Sequence, residues 1–392
     1  MKKIILIKYG ELTTKKANRN LFINTLAKNI EKSLENYDFK LTKNRVRMFI
    51  ELYDESKEEE IISKLKKIFG IHGIVICYRT DTNIDIIKRD VLTVAKNEHF
   101  KTFKVETKRS DKKFQIKSIE FNNVIGGLLL KNIDNISVDV HNPDYTLKIE
   151  IRENYTYIYS KEIKGAGGYP TGVAGHGILM LSGGIDSPVS GYLAMKRGIK
   201  VECLYFESPP HTSQQALNKV KKLVNILSEY QPDIKLHVIN FTNIQENIYK
   251  NINSEYMITI MRRMMYRIAD IVRIKRHALV IINGESVGQV ASQTLNSMSV
   301  INNVTNTPII RPVACLDKLE IIDIAKKIGT YDVSILPYED CCTIFLPKHP
   351  VINPRLDKCI EYEKTFDYNT LIKNSVDNIS HVDTAIDNKF NF

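Results

Sequence analysis

The sequence predicts a multidomain protein of α/β and α+β class, with a mixed N-terminal half and a C-terminal part built on a doubly wound parallel sheet. Three observations predict it. From residue 177 onward, continuous apolar strands alternate with helices, the pattern of a parallel sheet covered on both faces. Upstream, strands and helices follow one another in shorter, half-apolar runs. Between them, KGAGGYPTGVAGHG (residues 164–177) gathers six glycines and a proline, the strongest punctuation in the chain. At roughly 100–200 residues per domain, 392 residues allow two or three domains, each with its own core.

Each element has a local reason. IILIKY is apolar and β-branched, a strand; residues 20–34 carry helical spacing through Leu21, Leu26, Ile30 and Leu34; VRMFIEL alternates like a half-buried strand. The acidic stretch 54–60 complements the dipole of a new helix that ends near Gly70. Strand IVICYRT, helix 84–96, strand FKVETKR, helix 118–132 and strands SVDVH, YTLKIEIRE and YTYIYS complete a small α+β unit. The third region reads as strand GILMLSG, helix 188–197, strand KVECLYFES, helix 214–230, strand KLHVINFT, helix 257–275, strand ALVIING and helix 319–329. The expected divisions are 1–56, 57–162, a linker at 163–176, and 177–392. The Asn- and Asp-rich tail beyond about Tyr362 reads as a docked or frayed end.

Charge is uneven. Residues 1–160 hold 30 Lys and Arg against 22 Asp and Glu, net +8; the remaining 232 hold 26 against 23, net +3. A basic part beside a near-neutral one suits a polyanion held by one and handled by the other, although a Lys-rich chain is also simply basic and soluble. No apolar run approaches the ~18 residues of a membrane helix. The apolar core of the N-terminus is only Ile4 to Ile7, too short for export, so a cytoplasmic chain with reduced thiols is expected. The six cysteines (Cys77, Cys203, Cys315, Cys341, Cys342 and Cys359) form no C-x-x-C pair, which disfavours zinc and iron–sulfur frameworks; no protein-held metal site is expected.

The chemistry concentrates in Ser182-Gly183-Gly184-Ile185-Asp186-Ser187, between a strand and a helix. Two glycines let backbone amides converge on an anion, the helix N-terminus adds unpaired donors, and the two serines add hydroxyls. Pro188 sits in the first helical turn, where its missing N–H costs nothing. No G-K-[ST] follows, so this is not a Walker A loop. Asp186 beside a triphosphate implies a shared Mg²⁺, or else only a cap on the loop. S-G-G-x-D-S resembles the PP-loop of the ATP pyrophosphatase superfamily.

The wider sequence resembles the tRNA 4-thiouridine synthetases, the ThiI-type tRNA sulfurtransferases. The resemblance rests on KYGELTTKKANRNLF, FKVETKRSDKKF, GAGGYPTGVAGHGILMLSGGIDSPVSGYLAMKRG, YFESPP, MRRMMYRIAD, NGESVGQVASQTL and LPYEDCCTIF, in that order over roughly residues 1–365. It implies an N-terminal ferredoxin-like domain, an RNA-binding THUMP domain and a PP-loop domain. It implies conversion of the uridine at position 8 of tRNA to 4-thiouridine with ATP and Mg²⁺, and a part in thiamine thiazole synthesis. Implied partners are tRNA, a cysteine desulfurase as sulfur donor, a thiamine sulfur-carrier protein and a second copy of the chain. The chain resembles the short form without a rhodanese domain, and no membrane contact is implied.

The resemblance also implies site residues. For ATP these are Met180, Leu181, Ser182, Gly183, Gly184, Ser187, Tyr205, Phe206, Arg262, Gly284 and Gln293, with Arg262 otherwise a surface helix residue and Gln293 otherwise a loop-capping amide. Cys341 fits the family's reacting cysteine, which attacks a persulfide and forms a transient disulfide; Cys342 is the adjacent alternative. Cys77, Cys203 and Cys315 lie in strand patterns and are expected in the core, while Cys359 has no assignment. Lys104, Lys108, Arg109, Lys112 and Lys113 cluster as phosphate contacts for RNA, or else as a solvated strand edge. Phe103 and Phe114 could stack bases, although alternation turns them toward the core.

Overall fold

Eight residues, KKIILIKY, form the central strand β1 (Lys2–Tyr9) of the N-terminal sheet in a computed structural model that describes residues 1–10, 18–344 and 349–383, without the side chains of residues 342, 343 and 383. Ile4 to Ile7 are all buried, so both faces of β1 are covered, and antiparallel strands pair with it on either side. After β1 come α1 (Arg19–Ser33), β2 (Phe39–Lys43), β3 (Arg47–Leu52), α2 (Glu58–Leu65) and β4 (Ile71–Asp81). They are followed by α3 (Ile84–Lys96), β5 (Thr102–Arg109), α4 (Ser118–Asn132), β6 (Ser137–Val138), β7 (Tyr145–Ile151), β8 (Tyr155–Tyr159) and β9 (Ile163–Lys164).

All nine strands join one sheet in the order β2-β3-β1-β4-β8-β7-β5-β6, with β9 also on β4. The eleven residues of β4 explain this: β1 pairs along them from Ile71 to Arg79, and β8 pairs with their far end from Tyr78 to Asp81. The first two regions expected from the sequence thus share a strand. β2, which the sequence pattern does not disclose, is FKLTK, a polar edge strand with no buried residue.

Contacts divide the chain into 1–168 and 169–392. The glycine-rich segment is used by both units. The amides of Gly165 and Gly167 bond to His72 and Ile71 carbonyls in the first, whereas Tyr169 and Gly172 donate to Lys196 and Gly198 in the second. Gly172 and Gly175 have φ of +96° and +98°, a conformation that side-chain-bearing residues rarely adopt.

The second unit comprises β10 (His176–Met180), α5 (Asp186–Lys196), β11 (Lys200–Glu207), α6 (Gln214–Ser228), β12 (Lys235–Asn240), α7 (Thr242–Asn251), α8 (Met257–Lys275) and β13 (Val280–Ile282). It continues with α9 (Leu295–Asn302), β14 (Ile309–Ile310), α10 (Lys318–Ile328), α11 (Tyr331–Ser334), α12 (Cys341–Ile344), α13 (Leu356–Glu363), α14 (Tyr368–Asp377) and β15 (Ser380–Asp383). The sheet order is β14-β13-β10-β11-β12-β15; the first five strands are parallel and β15 is antiparallel. Chain order reverses between β10 and β13. In an open α/β sheet the crevice for a ligand lies there, at the carboxyl ends. The described part of the tail is docked: Ile372 and Val376 of α14 are buried in the same core as Ile260, Met264 and Ile268 of α8. Among the described residues no helix is long and apolar enough to cross a membrane.

One core expectation fails. Cys77 and Cys203 are buried, but Cys315 is exposed. The reason is that β14 is only two residues long, and the chain turns after it, placing Cys315 in the loop before α10. Cys359 of α13 is buried.

Candidate functional site

The loop after β10 is held by its own hydroxyls. The Ser187 hydroxyl donates to the Ser182 carbonyl at 3.1 Å and accepts from the Ser182 amide at 2.9 Å, and the two hydroxyl oxygens lie 3.0 Å apart. Ser187 therefore staples the loop, while the Gly184 amide reaches the Ser182 hydroxyl at 3.4 Å. Met180 and Leu181 are buried, and the Leu181 amide bonds to Leu204 of β11, which fixes the loop to the sheet.

Gly284, just beyond β13, presses against the first turn of α5. A Cβ there would lie 2.6 Å from the Ser187 nitrogen and 2.8 Å from the Asp186 carbonyl carbon. Real Cβ atoms do not approach backbone so closely, so glycine is required for the two strands at the switch point to close around the loop. Glu285, next in the chain, is buried and collects Arg262, Arg311 at 2.7 Å and Tyr266 at 3.0 Å. Although burial opposes it, the two guanidinium groups hold the Glu285 carboxyl below the usual range. Arg262 is thereby tied to a carboxylate one residue from Gly284, not displayed on the helix surface.

Three residues that the sequence did not single out meet the loop from distant parts of the chain. Lys318, in the first turn of α10, donates to one Asp186 oxygen at 2.6 Å, and the Gln289 amide donates to the other at 2.9 Å. Asp340 accepts the Gly183 amide with both carboxylate oxygens, at 2.9 and 3.1 Å. Burial pushes the Asp340 carboxyl up, against the pull of the Gly183 amide and the Lys219 ammonium. Lys219 of α6 is itself buried, which lowers its pKa, and donates to the Leu336 carbonyl at 2.8 Å. Its methylenes lie beside Gly183.

Other expected residues take different places. Tyr205 and Phe206 lie inside β11 with their rings 2% and 6% exposed, and Phe206 stacks edge-on against Phe241 at 5.6 Å. The rings belong to the core, which leaves their backbone at the crevice. Gln293 accepts the Ser286 amide at 3.3 Å and its carbonyl accepts Gly288, so its side chain closes the 286–293 loop. Cys341 opens α12 and is 3% exposed, with its carbonyl held by the Gln245 amide at 2.7 Å. The side chain of Cys342 lies outside the described residues, as do residues 11–17 of the KYGEL motif. Burial pushes the Cys77 thiol up to about 12 and the Cys359 thiol up to about 11, so neither is poised as a thiolate.

The residues fit a nucleotide carrying its own cation. Among the described residues no group of three or more His, Cys, Asp or Glu converges on a point. Asp186 offers one carboxylate, which suits Mg²⁺ bound mainly by phosphates.

In the N-terminal unit, Lys108, Lys112 and Lys113 are exposed on β5 and the loop after it. Lys104 pairs with Glu106 at 2.9 Å. Arg109 donates to the carbonyls of Phe114 and Ile116, at 2.9 and 3.4 Å, so it braces the loop that presents the lysines. Phe103 and Phe114 are buried, and Phe114 meets Phe121 edge-on at 5.4 Å.

Three family models match successive parts of the chain. Residues 4–75 match the ThiI ferredoxin-like domain, 81–161 the THUMP domain, and 172–368 the family described as Thiamine biosynthesis protein (ThiI). The chain is 48% identical over 375 residues to a probable tRNA sulfurtransferase of Geobacillus kaustophilus (strain HTA426), covering 95% of this chain and 93% of that one. It is 50% identical over 373 residues to one of Halothermothrix orenii (strain H 168 / OCM 544 / DSM 9562), covering 93% and 94%. Among solved structures it is similar to a 4-thiouridine synthetase in complex with RNA and bound ATP, with a TM-score of 0.91 and 34% identity over 97% of this chain and 99% of that one. Identity of this extent along nearly the whole chain, over the same three-part fold, means that the chain belongs to the ThiI family of tRNA sulfurtransferases.

Proposed function

We propose that the protein uses ATP to adenylate the uridine at position 8 of tRNA and replaces its C4 oxygen with sulfur, giving 4-thiouridine. The observation that carries this reading is the Ser182–Ser187 loop at the switch point of the sheet, stapled shut by Ser187 and backed by Gly284. Such a loop offers amides and a helix N-terminus to a pyrophosphate. Mg²⁺, bound with the nucleotide, offsets charge building on the leaving group. Lys318 and Gln289 hold the Asp186 carboxylate, which would be the side chain to meet that ion.

A uridine oxygen is a poor leaving group. Its attack on the α-phosphate releases pyrophosphate, and the oxygen then departs as part of AMP. The terminal sulfur of a carrier persulfide attacks C4 and expels AMP. The Cys341 thiolate attacks the carrier's inner sulfur, frees 4-thiouridine, and leaves a disulfide that an external thiol reduces. A cysteine desulfurase supplies the persulfide, and Cys342 is the neighbouring candidate for the Cys341 step. The exposed Lys108, Lys112 and Lys113 hold the tRNA backbone; the reaction runs in the cytoplasm, in a homodimer. The match to the family described as Thiamine biosynthesis protein supports a second outlet for the same sulfur, toward thiamine thiazole through a sulfur-carrier protein.

The test is mass spectrometry of tRNA nucleosides after incubation with ATP, Mg²⁺ and sulfide, with AMP release followed in parallel. 4-Thiouridine is expected with wild type, and Asp186→Ala should release no AMP yet still bind tRNA. Undiminished AMP release by that variant would remove the loop from the chemistry.

A further inference from the structure

The Gly183 amide, which the proposed function gives to a phosphate, is held by a carboxylate of the protein. Both oxygens of Asp340 lie within 3.1 Å of it. A carboxylate is a fair mimic of a phosphate edge, and an amide in a glycine-rich turn serves either. Asp340 is the residue before Cys341, and Cys341 is 3% exposed. The thiol is therefore shut away while its neighbour occupies the nucleotide loop.

Two further observations show how the segment is held. Its carbonyls are bound by side chains from two helices: Lys219 of α6 takes Leu336 at 2.8 Å, and Gln245 of α7 takes Cys341 at 2.7 Å. Gln245 is 2% exposed, yet its side-chain oxygen has no hydrogen-bond partner among the described residues. A buried acceptor is thus unmet beside the carbonyl that the same side chain holds, a cost borne where the segment is anchored. Asp340 is half-buried beside Lys219, and desolvation raises its pKa against the pull of the Gly183 amide and the Lys219 ammonium.

We propose that Asp340 is a positioning residue that couples nucleotide occupancy to exposure of Cys341: the pyrophosphate of ATP displaces the Asp340 carboxylate from the Gly183 amide, and the segment that swings away presents the Cys341 thiol. This rests on the reading that ATP binds at the Ser182–Ser187 loop and that Cys341 is the reacting thiol. The coupling has a chemical use. It keeps the sulfur-handling thiol covered until a nucleotide is in place to activate the base, so the thiol is not lost to stray oxidation.

The experiment is iodoacetamide labelling of the full-length protein without tRNA, with and without Mg²⁺ and ATP. Fragment ions separate Cys341 from Cys342, and buried Cys203 serves as the internal reference. ATP affinity is measured on the same samples by calorimetry. Breaking one charge-assisted hydrogen bond predicts that ATP speeds Cys341 labelling roughly tenfold in wild type. Asp340→Ala should label fast without nucleotide and bind ATP several-fold more tightly, because a competing anion is gone. Asp340→Asn keeps an acceptor for Gly183 without charge; it should retain ATP-dependent labelling and also bind ATP more tightly. A side chain that merely shaped the loop would act in the opposite direction, weakening ATP binding when removed. Weaker binding by Asp340→Ala, or labelling of wild-type Cys341 indifferent to bound ATP, would overturn the coupling. Unchanged ATP affinity in Ser182→Ala would instead remove the nucleotide from the loop and take the coupling with it.

Discussion

Two carboxylates of the C-terminal unit, Glu202 toward the amino ends of its sheet and Asp340 toward the carboxyl ends, are held in opposite ways. Toward the amino ends, Glu202 of β11 accepts His237 at 2.8 Å and Arg276 at 2.8 and 3.0 Å, with His176 at 3.6 Å. His237 in turn meets His381 at 2.8 Å, which ties β15 to β12. Burial opposes ionisation there, but the hydrogen bonds and charges of His237, Arg276 and His176 hold the Glu202 carboxyl far below the usual range. At the carboxyl ends, burial raises Asp340. A carboxylate clasped by cations is a fixed charge and a clamp. One held by the amide of an anion-binding loop can be exchanged for another anion. Glu285, clasped by Arg262 and Arg311 beside Gly284, is a clamp of the first kind, so the crevice carries one fixed carboxylate and one exchangeable one.

The clamp should show the largest effect when broken. Glu202→Gln keeps the shape but leaves Arg276 and the histidines around a neutral amide, at a cost of about 3–5 kcal/mol, read by urea unfolding near pH 7. The sign with pH follows from linkage. A depressed carboxyl stabilises fully above its unfolded value, and the benefit is lost as pH falls from about 5 toward the folded value. The gap between wild type and variant should therefore narrow in acid; parallel acid limbs would mean that Glu202 is no clamp. At the opposite end, Gly284→Ala should cost catalysis more than stability. Displacing α5 by the fraction of an ångström a methyl demands predicts a loss of ~10²-fold in AMP release, with tRNA affinity unchanged. Full activity would show that the switch point tolerates what its geometry forbids.

How much of this the sequence disclosed follows from distance along the chain. The Ser182–Ser187 loop was legible because its strand, glycines, serines and helix are contiguous, and periodicity marked most long helices. β2 was not, because an edge strand such as FKLTK buries no residue and carries no apolar signature. Lys318, Gln289 and Asp340 were not, because they reach the loop from 132, 103 and 157 residues away. Lys318 alone left a trace. Asp317 and Glu320 form a capping box that marks the helix start, and a lysine in that first turn opposes the helix dipole. A cation placed against the dipole invites the question of which anion holds it. Composition equally could not tell a displayed lysine from a bracing arginine, so Arg109 looked like its neighbours until its carbonyl partners were seen.

That distinction gives the next prediction. Replacing Lys108, Lys112 and Lys113 by Gln should weaken tRNA binding and reduce the slope of log affinity against log salt by roughly 2–3, at about 0.7–0.9 for each phosphate no longer neutralised. Arg109→Gln should instead loosen the loop, weakening binding with a change in slope of less than about one. Equal slope changes for Arg109 and for single lysines would return Arg109 to the phosphate-binding set.

The smallest effect is the most telling about sulfur. Cys315 is the exposed thiol among the cysteines described, and Cys341 is buried. If accessibility in the absence of nucleotide decided reactivity, Cys315 would be the nucleophile. Its turn before α10 is close in sequence to Lys318, whose ammonium is already engaged by Asp186. Coupling of Cys341 to the nucleotide loop makes resting exposure the wrong criterion, because the thiol that matters is the one uncovered when the base is activated. Iodoacetamide should therefore label Cys315 first in the nucleotide-free protein, and Cys315→Ser should form 4-thiouridine at the wild-type rate. Loss of thiolation in that variant, with AMP release intact, would transfer the sulfur step to Cys315 and reduce the burial of Cys341 to ordinary packing.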